Sequence, residues 1–315
     1  MSRIVTLTVN PAVDVSTSVD RVEPVRKLRC RSERREAGGG GLNVARVVRR
    51  FGADVIAVYT AGGVTGRMLR TLLEQESVLA REVAVAGMTR ESFTVRDETT
   101  QDEYRFVLPG PELSEAEWKG CIDAALRAAD GDSFIVASGS LAPGVPDDAY
   151  AGLARAGKRA GQRIVVDVSG PPLRLALEAG VYLVKPNLRE LQDLLGVRLE
   201  DRTSQVEACR KLIHSGASEI IALSLGSQGA LLVTREAAWF SEPLAVRVQS
   251  SVGAGDSFLG GLLWSLSQKR DLPAALAFAV AAGSAALLAP GTQLCRPDDV
   301  QRLLADVRLT ELQAA

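Results

Sequence analysis

The chain has 315 residues, 46% of them hydrophobic, which is enough for one large packed α/β unit or two smaller domains. A formal net charge of -1 leaves no broad basic surface for nucleic acid or acidic membrane. Four scattered cysteines without a CxxC pair argue against a disulfide framework or a zinc site, and a single histidine excludes a His-rich metal centre.

Met1-Ser2-Arg3 leads directly into a strand pattern, so no signal peptide is read at this end. In chain order the expected elements are a strand at 4–9, a helix at 42–51, a strand at 55–59 and a helix at 67–76. Then come a helix at 115–129, a strand at 134–137, a helix at 147–160 and strands at 164–168 and 182–184. A helix at 188–195, a helix at 204–215 and a strand at 220–224 follow. Ser114 and Glu117 form a capping-box pattern at the start of the third helix. His214 falls near the end of the 204–215 helix, where a solvated side chain complementing the helix dipole is expected. The longest apolar stretch, 272–289, is broken by Pro273, Gly283 and Ser284 and reads as a buried helix rather than a membrane span. The cysteines, Cys30, Cys121, Cys209 and Cys295, are expected to be free buried thiols in a cytoplasmic protein.

Strand–helix alternation of this kind predicts a mostly parallel sheet covered by helices on both faces. Two segments depart from it. Residues 14–37 are charged and β-like, and 92–107 reads as two alternating strands around 98–102. Together they predict a small sheet standing off the main layer, either a lid over a site, a surface hairpin or a dimer contact.

Two glycine-rich stretches carry the chemistry. In Ser251-Val252-Gly253-Ala254-Gly255-Asp256-Ser257 two glycines and a carboxylate stand where an apolar helix begins. A helix N-terminus offers unpaired N–H groups to a phosphate-like anion. A carboxylate beside that anion can take the proton of an attacking hydroxyl. The stretch also reads as a turn with an acidic helix cap. Residues 38–46, Gly-Gly-Gly-Gly-Leu-Asn-Val-Ala-Arg, combine four glycines with a following helix, which suits close approach of a ligand to backbone. The run is neither GxxxxGK[ST] nor a complete GxGxxG.

These two stretches resemble the ribokinase-like family of carbohydrate kinases. So do Asn10-Pro11-Ala12-Val13-Asp14, Lys27-Leu28-Arg29-Cys30, Ser138-Gly139-Ser140-Leu141, Lys185-Pro186-Asn187, Ser224-Leu225-Gly226 and Ala281-Ala282-Gly283-Ser284. The resemblance spans essentially the whole chain. Its four-glycine run and Lys27–Cys30 segment are most similar to the 6-phosphofructokinase branch. It implies a three-layer α/β/α sandwich carrying a small β-sheet lid, formed as one domain over 1–315 with lid segments near 12–37 and 89–107.

The implied reaction moves the γ-phosphoryl group of MgATP to a ketohexose phosphate, first of all fructose 6-phosphate. Tagatose 6-phosphate, fructose 1-phosphate and a catalytically silent sugar-phosphate sensor stand as alternatives. The resemblance implies Asp256 as general base and Gly253, Ala254 and Gly255 as an anion hole. It places Asp14, Gly38, Gly39 and Asn43 on the sugar, and Lys27, Arg90, Arg105 and Ser140 on the sugar phosphate. Lys185, Asn187, Ser224, Gly226, Gly229, Val280 and Ser284 are implied on the nucleotide, with Glu190 reaching magnesium, directly or through water. A potassium site is implied near Ser250, Val252, Ala286, Ala289 and Gly291, although Ala289 and Gln293 replace the Asn and Arg of the family pattern. A homodimer through the lid is implied as well.

Overall fold

The computed structural model describes residues 2–31, 33–291 and 293–312. The chain begins with β1 (Ile4–Thr8), β2 (Ala12–Val19), β3 (Arg34–Gly38), α1 (Gly40–Arg50), β4 (Val55–Ala61), α2 (Gly63–Gln75), β5 (Leu79–Ala84), β6 (Arg90–Asp97) and β7 (Glu103–Val107). It continues through α3 (Glu115–Ala128), β8 (Phe134–Ser138), α4 (Ala149–Arg159), β9 (Arg163–Asp167), α5 (Pro171–Ala179), β10 (Val181–Val184), α6 (Leu188–Leu195), α7 (Arg202–His214) and β11 (Ser218–Ser224). The last elements are β12 (Ala230–Val233), β13 (Ala238–Ser241), α8 (Ala254–Ser267), α9 (Leu272–Ala286), α10 (Pro297–Leu304) and β14 (Leu309–Leu312).

Among the described residues, ten strands form one sheet in the order β14-β13-β12-β11-β10-β9-β8-β1-β4-β5. The pairs from β11 through β5 are parallel, and β12, β13 and β14 add an antiparallel edge. Helices cover both faces, so the central strands are apolar on both sides. Val5 and Leu7 enter the core beneath α3 and α4, while Ile4 enters the opposite core with α1, α8 and α9. The same alternation separates Ile135 and Ala137 from Phe134 and Val136 in β8. The predicted strands and helices lie in place, and the capping box is present: the Glu117 N–H donates to Ser114 Oγ and the Ser114 N–H to Glu117 Oε2 at 2.7 Å. Sequence periodicity missed β5, β12, β13, β14, α5 and α10: β5 and β14 are half exposed and carry no apolar run, β12 and β13 have four residues each, and α5 and α10 have nine and eight.

The two irregular segments form the second sheet, in the order β3-β2-β6-β7. Its register aligns Asp14 with Glu36 on one side and Ser92 on the other. Among the bonds that fasten it to the main layer, two reach the segment before α8. Arg96 Nη1 donates to the Gln249 carbonyl at 2.6 Å, and Ser250 Oγ donates to Glu103 Oε2 at 3.1 Å.

Helix α8 is held between α1 and α9 by glycine. A Cβ on Gly260 would lie 2.6 Å from Val47 Cγ1, and one on Gly261 would lie 2.8 Å from Ala282 Cβ. Such close backbone approach sets where the first turn of α8 emerges. Gly261→Val should therefore destabilise the protein by about 1–3 kcal/mol through overpacking. Urea unfolding checks this, and an unchanged midpoint would contradict the packing argument.

Candidate active site

The carboxyl ends of β1, β8, β9 and β10 meet the N-termini of α1 and α8 beneath the small sheet, where parallel α/β sheets place their ligands. A cleft of ≈ 610 Å³ opens there. Asp14, Gly39, Asn43, Arg90, Arg105, Ser140, Lys185, Glu190, Val252, Gly253, Gly255 and Asp256 line it. Residues from sequence positions 14 and 256 thus share one cleft.

Asp256 lies in the first turn of α8, two residues after helix entry at Ala254. Its N-cap, Gly253, is left-handed at φ 75°, a conformation that costs glycine little. The first-turn N–H groups have no partners within the helix and face the same cleft as the carboxylate. Asn43 Nδ2 donates to Asp256 Oδ2 at 2.8 Å, while Asn43 Oδ1 accepts from Arg46 Nη1 at 3.1 Å. Burial pushes the Asp256 carboxyl up to about 6, and repulsion from Asp167 adds to the rise. The Asn43 bond and Lys185 oppose it.

Lys185 follows β10 and is buried at 6% exposure, paired with Asp167 Oδ1 at 3.0 Å. Burial by itself drives a lysine toward neutrality, but attraction and hydrogen bonding to Asp167, with Glu190 and Asp256 behind, hold its pKa above the ordinary value. The ammonium stands 3.6 Å from where a Cβ of Gly255 would be, against the helix N-terminus. A fixed cation and oriented N–H groups at one point suit negative charge on a transferring phosphoryl group.

The opposite wall carries the polar groups of the lid. Burial pushes Asp14 up to about 6, opposed by Arg105, Arg46 and Arg90. Arg90 donates to the carbonyls of Asn10 and Leu108 at 3.0 and 3.1 Å, and its buried Nε has no partner. Asn10 Nδ2 also donates to Ser140 Oγ at 3.1 Å, tying the loop after β8 to the loop after β1. The glycine run divides its work. Gly39 and Gly40 line the cleft, whereas a Cβ on Gly38 would overlap the Asp14 carboxyl and one on Gly41 the Thr8 hydroxyl.

Other predicted positions fall outside this cleft. Lys27 is exposed in the stretch between β2 and β3 and does not reach the cleft of its own chain. Asn187 caps α6: its Oδ1 accepts the Glu190 N–H at 2.9 Å, and Glu190 Oε2 accepts the Asn187 N–H at 2.8 Å. The Asn-x-x-Glu pattern is thus a capping box in which the same glutamate faces the cleft. Ser224 bridges to Asn187, and Gly226 and Gly229 form the tight turn after β11. Val280 is buried on α9 and Ser284 lies one turn later, beside the contact of Gly283 with Phe258 of α8. Ser250, Val252, Ala286 and Ala289 are buried where two segments meet through the Gln249 N–H and the Leu287 carbonyl at 2.7 Å, with Val252 also at the edge of the cleft. Gly291 sits apart, against Ser16 of the lid.

Asp167 was not anticipated. A charged residue ending the apolar run Ile164-Val165-Val166 at the carboxyl end of a parallel strand was the available signal. Away from the site, His214 is the last residue of α7, its Nδ1 2.7 Å from the Arg210 carbonyl. Cys121, Cys209 and Cys295 are buried, but Cys30 is exposed, correcting the expectation of four buried thiols; it lies in the stretch 24–31, which is exposed throughout. No described helix is long and apolar enough to cross a membrane.

Known proteins match the chain at several levels. The pfkB family carbohydrate kinase description fits residues 5–299. ATP-dependent 6-phosphofructokinase isozyme 2 of Mycobacterium tuberculosis H37Rv is 44% identical over 300 residues, 95% of this chain and 88% of the relative. A 1-phosphofructokinase of Bacillus subtilis is 32% identical over 309 residues, 98% of this chain and 100% of the relative. The structure of Escherichia coli phosphofructokinase-2 in complex with fructose-6-phosphate superposes with TM-score 0.92 at 38% identity, covering 97% of this chain and 99% of that one. The same E. coli protein has been solved in complex with potassium and as a tetrameric inhibited form. The chain belongs to the pfkB family of carbohydrate kinases.

Proposed function

We propose that this chain is an ATP-dependent 6-phosphofructokinase, transferring the γ-phosphoryl group of ATP to the 1-hydroxyl of fructose 6-phosphate. One observation carries the reading: Asp256, at the N-terminus of α8, shares a single cleft with Lys185 on one side and with Asp14, Arg90 and Arg105 on the other. The identity to the mycobacterial 6-phosphofructokinase supports it.

In this reading Asp14, with Gly39 nearby, orients the ketose hydroxyls before reaction, which lowers the entropic part of the barrier. Arg90 and Arg105 pair with the sugar phosphate, preferring a phosphorylated over a free sugar through charge-assisted bonds. Asp256 takes the proton of the attacking hydroxyl, and the amides of Gly253, Ala254 and Gly255, with Lys185, take up charge on the phosphoryl oxygens. Ser224, Gly226, Gly229, Val280 and Ser284 extend the same edge toward the nucleotide.

Magnesium fits the acidic side of the cleft. Burial raises the Glu190 carboxyl and Asp167 raises it further, so a cation held by these two carboxylates relieves their repulsion. Bound there it supplies neutralising charge to the ATP phosphates. The meeting of 249–252 with 286–289 suits potassium through backbone carbonyls. We further propose a homodimer through the lid. Val25, Leu28, Phe106 and Val107 are exposed apolar residues of the lid segments, and pairing two lids is the arrangement in which Lys27 could serve a sugar phosphate.

Coupled ADP release with fructose 6-phosphate, fructose 1-phosphate, tagatose 6-phosphate and fructose tests the substrate. Fastest turnover on fructose 1-phosphate would favour the 1-phosphofructokinase reading. Asp256→Asn should lower kcat by about 10²–10⁴-fold with ATP affinity retained, and near-normal kcat would remove Asp256 as base. Because Asp256 and Asp14 are each pushed up to about 6, kcat/KM should fall as pH drops through about 6, the limb belonging to both groups together. A flat profile between pH 5 and 8 would contradict this. The raised Asp256 pKa also makes folding less favourable once the group ionises. Stability linked to its proton is full below the ordinary carboxylate range and lost as pH rises through about 6. Asp256→Asn should accordingly raise Tm at pH 8 and give little gain at pH 4, as read from thermal melts at the two pH values.

A further inference from the structure

Arg46 is the largest fully buried side chain, at 1% exposure, yet it lines no part of the proposed active-site cleft. It lies on α1 one turn after Asn43. Its guanidinium is held from three sides. Nε meets Glu76 Oε1 at 2.6 Å, Nη1 donates to the Ala37 carbonyl at 2.7 Å, and Nη2 lies 3.6 Å from Glu36 Oε1. Nη1 also donates to Asn43 Oδ1 at 3.1 Å.

A guanidinium only donates, so the oxygen of the Asn43 amide must face Arg46 and its nitrogen must face away. The nitrogen then donates to Asp256 Oδ2 at 2.8 Å. Rotated by half a turn, the same amide would set its oxygen against the carboxylate and lose both bonds. The ionised Asp256 carboxylate demands the same orientation, but a protonated Asp256 could donate to a turned amide; Arg46 removes that option, so the one bond Asn43 can offer favours the ionised carboxylate.

We propose that Arg46 is a positioning residue for phosphoryl transfer: by fixing the orientation of the Asn43 amide it holds Asp256 ionised and aimed at the acceptor hydroxyl. The inference rests on Asp256 being the proton acceptor. Glu76 and Glu36 hold the guanidinium in place, and α1 carries the effect across to α8. Asn43 therefore acts on the base as well as lying beside the sugar.

The test is a double-mutant cycle of Arg46→Met and Asn43→Ala, reading kcat and KM against pH. Asp167, Lys185, Asp14, Asp147, Glu190, Arg90 and Arg105 are the other charged groups of the cleft, and none is mutated in the cycle. Asp14 alone among them also loses the attraction of Arg46, a contribution absent from Asn43→Ala, so the shift of the acid limb common to both single variants is the one that reads Asp256. Arg46→Met should lower kcat at pH 8 by about tenfold or more, the worth of a hydrogen bond to a charged group. It should leave the KM for ATP within about twofold and move the acid limb up by about one pH unit, as expected when a carboxylate loses its donor. Asn43→Ala should do the same, and the double variant should be no worse than Asn43→Ala alone. Glu36 and Glu76 lose a buried partner in Arg46→Met, so R46M/E76Q, which removes one opposing carboxylate as well, carries the same cycle if the single variant does not fold. Multiplying effects, or an acid limb that stays in place, would overturn the proposal and leave Arg46 a purely structural ion pair. Active Asp256→Asn would instead overturn the assignment of the base, a separate outcome.

Discussion

The buried pair of Lys185 and Asp167 sets the electrostatics around which this cleft is organised. An ammonium at 6% exposure persists only because a carboxylate lies 3.0 Å away. Both groups stand at the carboxyl ends of neighbouring parallel strands, so the sheet itself fixes their separation. Asp256 enters the same low-dielectric space from α8, and the repulsion from Asp167 offsets the attraction of Lys185. The result is a carboxylate that can both accept and release a proton near neutral pH, which a more fully paired or more exposed one could not do as well.

The two walls of the cleft are built differently. The phosphoryl side rests on rigid elements: the ends of β9 and β10 and the first turn of α8, pinned by glycine contacts to α1 and α9. The sugar side belongs to a separate four-stranded sheet, joined to the main layer through the bonds of Arg46 to β3, of Arg96 to the Gln249 carbonyl and of Ser250 to Glu103. The Gln249 and Ser250 bonds land on the loop that leads into Gly253, so movement of the lid and the geometry of the anion site are mechanically joined. A kinase gains from that arrangement, because closing over the sugar also excludes water from the phosphate.

Most of the fold was legible from periodicity. Strands 134–137 and 164–168 were readable because a parallel strand covered on both faces is apolar at nearly every position. The edge strands β5 and β14 were not, since half of each faces solvent and their pattern resembles a loop; nor were β12 and β13, which are buried or half-buried but only four residues long. At the site, the two glycine stretches and Asp256 were readable because helix entry needs particular residue types. Asp167 escaped because a lone aspartate after a strand is common, and only its neighbour across the sheet gives it a role.

Sequence alone determined the α/β class, a helix following each glycine run, and the family chemistry carried by those runs, since each depends on local backbone preferences and short-range spacing. The tertiary structure decided which charges meet. Asp14 faces Arg90 and Arg105 across lid strands, and Asn43 reaches Asp256 across 213 residues of chain. Lys27 stays outside its own cleft, and Asn187 spends its side chain on a helix cap. Such pairings depend on packing between distant elements, and burial, which shifts each proton affinity, arises only once those elements have closed around the groups.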